Sequence, residues 1–124
     1  MKKAIATTAA PGAIGPYSQA IDAGSFVFVS GQIPVDPATG NVPDGISAQG
    51  AQSLKNLAAI LDAAGLSTAN VVKTTVFLAD MGDFAAMNAE YAKAFAEPFP
   101  ARSAVAVREL PKGVLVEIEA IAVR

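Results

Sequence analysis

Apolar positions recur along this chain in two rhythms, and the rhythms divide it into elements. Phe26-Val27-Phe28-Val29 opens a β-favouring run that continues to Ile33, and Val71 to Leu78 is a second; each predicts a strand. Between them Pro34 to Gly45 is rich in Pro, Gly, Asp and Asn and predicts a loop with turns. Ser47 to Ala64 instead carries Ala51, Leu54, Leu57, Ala58, Leu61 and Ala64 on one stripe. That spacing predicts a helix, with Gly65 suited to end it. A second helix is expected to open at Asp80 or Asp83, to bury Phe84, Met87, Tyr91 and Phe95, and to stop at Pro98. Lys3 to Thr7 and Ser18 to Ala23 predict short strands ahead of Gly24, separated by an ordered loop from Ala9 to Pro16. Ala101 to Glu109 and Val114 to Val123 predict the last two, around a turn at Pro111 to Gly113.

The order β-β-β-α-β-α-β-β predicts an α+β fold: one mixed sheet with two helices on one face. The last strand suggests what lies on the other. Its even positions (Val114, Val116, Ile118, Ala120, Ala122) are wholly apolar and suit the helix-covered side. Its odd positions are apolar at both ends, Leu115 and Val123, but acidic at Glu117 and Glu119. The strands at Phe26 and Val71 also carry large apolar residues at both parities. Two helices cannot cover both faces of such a sheet, so the bare face calls for other subunits.

Composition points the same way. Hydrophobic residues make up 52% of the 124 and charged residues only 16%, against the usual share of about 25%. The length fits one domain spanning residues 1–124, and no repeat or linker interrupts it. A net charge of −2 with scattered Lys and Arg disfavours nucleic acid as a partner. With neither His nor Cys, the chain has no catalytic triad, no thiol chemistry and few of the usual metal ligands. Lys2 and Lys3 are not followed by an apolar leader core, and no run is long enough to span a membrane. The expectation is a soluble, cytoplasmic protein.

Chemistry then falls to Arg, carboxylates, Ser, Tyr and backbone N–H groups. Arg102 begins a strand on the same face as Ala104 and Ala106, whose small side chains leave room for a ligand beside the guanidinium. A planar fork of donors suits a carboxylate; a surface or interface ion pair is the other reading. Glu117 and Glu119 share the face expected at a subunit interface, where a carboxylate with a raised pKa can shuttle a proton or simply pair with a neighbour's cation. Gly31, after Ser30, would let a ligand approach the backbone, or mark a bulge. Tyr17 suits a pocket lid or a packed loop aromatic, and Asn88 the edge of a helix stripe. Lys73 and Lys112 look like solvated ends. Gly12 to Gly15 lacks the strand-turn-helix setting of a phosphate-binding loop.

Several stretches, in order along the chain, resemble the RidA/YjgF family of reactive intermediate deaminases. They are Gly15-Pro16-Tyr17-Ser18-Gln19-Ala20, Ser30-Gly31-Gln32-Ile33-Pro34, Val72 to Leu78, Phe84 to Tyr91, Phe99-Pro100-Ala101-Arg102-Ser103, Leu110-Pro111 and Val116-Glu117-Ile118-Glu119-Ala120. The resemblance implies a chorismate-mutase-like fold assembled as a homotrimer around a central barrel, with sites in the clefts between subunits. It implies that Arg102 binds the carboxylate of a 2-imino acid and that Glu117 orients water. Tyr17, Ser30, Gly31 and Asn88 complete the implied set of ligand contacts, no cofactor is expected, and the products are a 2-oxo acid and ammonia. Two departures stand out: Ala104 replaces a Cys common in the family, and the connection before Phe99 is shorter. An endoribonuclease and a non-catalytic sensor of small carboxylates are the rival readings.

Overall fold

A computed structural model describes residues 1–124. Six strands form one sheet in the order β1-β2-β3-β6-β4-β5. They are β1 (Lys3–Ile5), β2 (Ala20–Asp22), β3 (Phe26–Gln32), β4 (Val71–Leu78), β5 (Ala101–Ala106) and β6 (Val116–Val123). All pairs are antiparallel except β4 with β5, which a helical crossover joins in parallel. The helices are α1 (Ile46–Ala63) and α2 (Phe84–Ala94). This is the expected α+β arrangement.

The strand with the cleanest alternation takes the centre. β6 lies between β3 and β4, and Val116, Ile118, Ala120 and Ala122 are buried beneath the helices. Val27 and Val29 of β3 and Val76 and Leu78 of β4 join them, facing Leu54, Leu57, Ile60 and Leu61 of α1 and Met87 and Tyr91 of α2. Each large side chain buried there contributes about 1.5–3 kcal/mol relative to an exposed one. Gly65, at φ 75°, ends α1 as expected: its N–H bonds to the Asp62 carbonyl and that of Leu66 to the Leu61 carbonyl, each at 2.9 Å.

Three details differ from expectation, and one stated alternative is resolved. Ala51 of the expected α1 stripe is exposed, and the buried face instead includes Gln49, Ser53 and Asn56. Of the two expected starts of α2 the helix takes the later: Asp80 caps a 3-10 turn at Met81–Asp83 by accepting from the Gly82 N–H, and Asp83 is the N-cap residue of the helix that begins at Phe84. Phe95 is buried but lies beyond the end of α2. β5 stops at Ala106, because its one partner, β4, ends at Leu78.

Candidate active site

The sheet sorts the candidate residues onto its two faces. Arg102 stands on the edge strand β5, in register with buried Thr74, so it projects to the helix side. There α2 presents Phe84, Asn88 and Tyr91, spaced four and three residues apart and therefore on one helical face. The Arg102 guanidinium carbon lies 4.7 Å from the centroid of the Tyr91 ring and 5.3 Å from that of Phe84. Its Nη1 donates to Asn88 Oδ1 at 2.8 Å. That is its one hydrogen bond to the chain, and the chain's two ion pairs, Lys93–Glu90 and Arg124–Asp22, do not involve it. A half-buried cation with most of its five N–H donors free of protein partners has the charge and the donors to bind an anion. Because Asn88 turns its oxygen to Arg102, its amide NH2 stays available as a further donor. Asn88, Tyr91, Ala92, Phe99, Pro100 and Arg102 line a cavity of about 440 Å³, room for a small metabolite.

Glu117 lies on the opposite face, paired across the ladder with Phe77. Burial, and then the neighbouring charge of Glu119, raise its pKa above the ordinary carboxylate value. The ladder between β3 and β6 shifts register between Val29 and Gln32, and Gly31 sits in that irregularity. A Cβ at Gly31 would overlap the Glu117 carboxylate, so glycine is what lets the acid rest against the strand. Gly31 and Tyr17 share a smaller cavity of about 220 Å³. Tyr17 is half-exposed and its oxygen accepts from the Ile14 N–H at 3.4 Å. Ser30 Oγ donates to the Ser18 carbonyl at 2.6 Å, which leaves its lone pairs to accept from a ligand.

Two contributors escaped sequence reasoning. Buried Gln19 clamps the loop before Tyr17: its Oε1 accepts from the Thr7 N–H, and its Nε2 donates to the carbonyls of Thr7, Ala10 and Pro11. Its signal was a lone amide between two short strands, which alternation alone does not single out. Tyr91 read only as a core aromatic, yet it lies under the Arg102 guanidinium. Lys73 reaches only exposed Ser103, and exposed Lys112 adopts a left-handed turn conformation at φ 58°. No helix is long and apolar enough to cross a membrane.

Fold and site together define a small α+β protein with a guanidinium lacking a carboxylate partner on one sheet face and a carboxylate of raised pKa on the other. The chain belongs to the Endoribonuclease L-PSP family, which it matches over residues 7–124. It is 59% identical to the 2-iminobutanoate/2-iminopropanoate deaminase of Salmonella typhimurium, across 100% of this chain and 99% of that protein. Among solved structures, the YjgF gene product of Escherichia coli superposes with a TM-score of 0.94 at 56% identity, covering 98% of each chain. Escherichia coli TdcF with bound serine gives a TM-score of 0.95 at 54% identity, again over 98% of both chains. The RidA/YjgF resemblance therefore holds over the whole fold.

Proposed function

We propose that this protein is an enzyme that hydrolyses 2-imino acids, such as 2-iminopropanoate, to 2-oxo acids and ammonia. The proteins it matches at 57–59% identity across its full length include those named for this activity in Salmonella typhimurium and Escherichia coli. The observation that carries the reading is the unpaired guanidinium of Arg102, seated beside a cavity of metabolite size. Serine bound to TdcF is itself a small amino acid with a carboxylate.

Arg102 and Glu117 occupy opposite faces of one sheet, with β4 between their strands. A small substrate can meet both only if a second copy brings its own Glu117 face to the Arg102 cleft. That geometry calls for at least two copies, and the RidA/YjgF resemblance implies a homotrimer of one-domain chains, in which Arg102 and Asn88 of one subunit face Tyr17, Ser30, Gly31 and Glu117 of the next. Arg102 clamps the carboxylate through two N–H groups and the Asn88 amide adds a third donor. Glu117 takes a proton from water as the new O–C bond forms, and passes it to the imine nitrogen. The resulting carbinolamine loses its hydroxyl proton to nitrogen, the C–N bond breaks, and ammonia and the 2-oxo acid leave. Ser30 Oγ accepts from the substrate N–H, and the Gly31 N–H stabilises developing negative charge. The residues of this chain carry every step in soluble, cytoplasmic chemistry without a cofactor.

Replacing Arg102 by Ala tests the reading, with 2-oxo acid formation from freshly generated 2-iminopropanoate as the assay. The expected loss in kcat/KM is on the order of 10²-fold or more, since a charge-assisted bidentate contact disappears. Turnover near wild type would remove Arg102 from the mechanism. The family's description favours endoribonuclease activity as a second reading. That reading requires RNA binding that weakens steeply with salt, whereas this chain has a net charge of −2 and no His. A sensor would bind 2-oxo acids through Arg102 yet leave imines unturned.

A further inference from the structure

The reaction above uses Arg102 but leaves unexplained why buried polar atoms lie beneath it. The Tyr91 hydroxyl and Thr74 Oγ1 are 2.6 Å apart, and both residues are buried. A Phe and a Val would fill this part of the core without having to satisfy two hydroxyls. Thr74 is the residue opposite Arg102 in the β4–β5 register, so the latch sits on the strand next to the side chain it affects. The ring it fixes lies under the guanidinium carbon at 4.7 Å, within cation–π range, and Phe95 buttresses that ring with centroids 4.6 Å apart.

We propose that Tyr91, latched by Thr74, is a positioning residue that sets the height and tilt of the Arg102 guanidinium for carboxylate capture. The geometry separates two jobs. The bond from Nη1 to Asn88 Oδ1 fixes rotation of the guanidinium within its own plane. The Tyr91 ring below and the Phe84 ring at 5.3 Å fix the plane itself. A free arginine has many rotamers, and a bidentate contact needs both N–H groups presented together. Aromatic faces also favour the charged guanidinium while no substrate is bound, which holds an unpaired cation in a half-buried place. Tyr91 forms part of the cavity wall, but in this scheme it makes no hydrogen bond to the substrate and acts through Arg102.

The inference rests on Arg102 binding a carboxylate, so the test follows both residues in the full-length protein. Tyr91→Leu, Tyr91→Phe, Thr74→Val and Arg102→Ala are compared for kcat and KM with 2-iminopropanoate, affinity for 2-oxobutanoate by calorimetry, and thermal midpoint. Tyr91→Leu is expected to raise KM and weaken 2-oxobutanoate by about tenfold, the worth of a part-buried cation–π contact, with kcat falling less. Tyr91→Phe and Thr74→Val, which keep the ring but free it, should each cost about two- to threefold in the same direction. Should Tyr91→Leu not fold, Thr74→Val carries the test. A lower thermal midpoint with KM and 2-oxobutanoate affinity unchanged would overturn the proposal. If Arg102→Ala keeps its affinity for 2-oxobutanoate, the carboxylate reading itself falls; if only Arg102→Ala loses it, the positioning role alone falls.

Discussion

The two faces of this sheet are made from alternate residues of the same strands, and they have opposite fates. On the helix side Val27, Thr74, Val76, Leu78, Val116 and Ile118 are closed off from solvent. On the other side Phe26, Phe28 and Val105 each keep 45–46% of their surface exposed. Both faces are apolar, so hydrophobicity alone does not distinguish core from surface here; cover does. A face of large apolar side chains left half open is a surface made for a partner. The chemistry divides along the same line, the free cation on the covered side and the perturbed acid on the open one. In the proposed mechanism one chain thus carries two half-sites back to back.

The sharpest way to break this comparison is to charge the open face. Phe28→Asp is expected to leave the far-ultraviolet circular dichroism intact, to release single chains in light scattering, and to reduce imine turnover to the uncatalysed rate. A variant that kept both its assembled mass and its activity would show that the open face joins nothing. Next in size is damage to the covered face. Ile118→Ala removes a fully buried side chain and should cost about 2–5 kcal/mol in urea unfolding. A cost below about 1 kcal/mol would mean that this face collapses around cavities, unlike other close-packed cores.

A third change acts between the faces and the chemistry. Gly31→Ala places a methyl where the Glu117 carboxylate now lies, and that flexible acid can swing aside more cheaply than the strand can move. The expected result is a drop in kcat of about 10- to 100-fold, the range of misplaced acid–base help, with the urea midpoint little changed. An equal loss from Gly31→Ala in a Glu117→Gln background would trace the effect to the strand instead of the acid.

Much of this division could be read from residue order. Val71 to Leu78 matched β4 end for end, and the parity of β6 marked the covered face correctly, because alternation records burial directly. Polar burial was harder. Asn56 lies inside because its amide donates to the Ile33 and Val35 carbonyls, and Gln49 because it binds the Leu115 N–H and the Pro43 carbonyl. Those partners lie outside the helix, so the expected stripe found the buried Leu54, Leu57, Leu61 and Ala64 but included exposed Ala51 and missed the buried amides. Placement of β6 between β3 and β4 is equally non-local. Arg102, Glu117 and Gly31 were visible as residue types in strands. That Arg102 and Glu117 lie on opposite faces depended on β5 pairing in register with β4, which strand parity alone does not specify.

The smallest expected effect discriminates most finely, since it concerns one charge on the open face. Glu119 lies two residues from Glu117 on the same side of β6, and its charge is the second cause, after burial, of the raised Glu117 pKa. Glu119→Gln removes that second cause and leaves the first. If Glu117 must be ionised to activate water, the acid limb of the kcat profile should move to lower pH while staying above the ordinary carboxylate range. Stability has a definite sign as well. A carboxyl group whose pKa is higher folded than unfolded favours the fold when protonated, and that contribution is lost as pH rises through the folded value. Glu119→Gln should therefore match wild type in urea at pH below the unfolded pKa and equal or exceed it at pH 7. An acid limb that stays put, or moves up, would mean that the titrating group in turnover is not Glu117, and the open face would then supply cover but no chemistry.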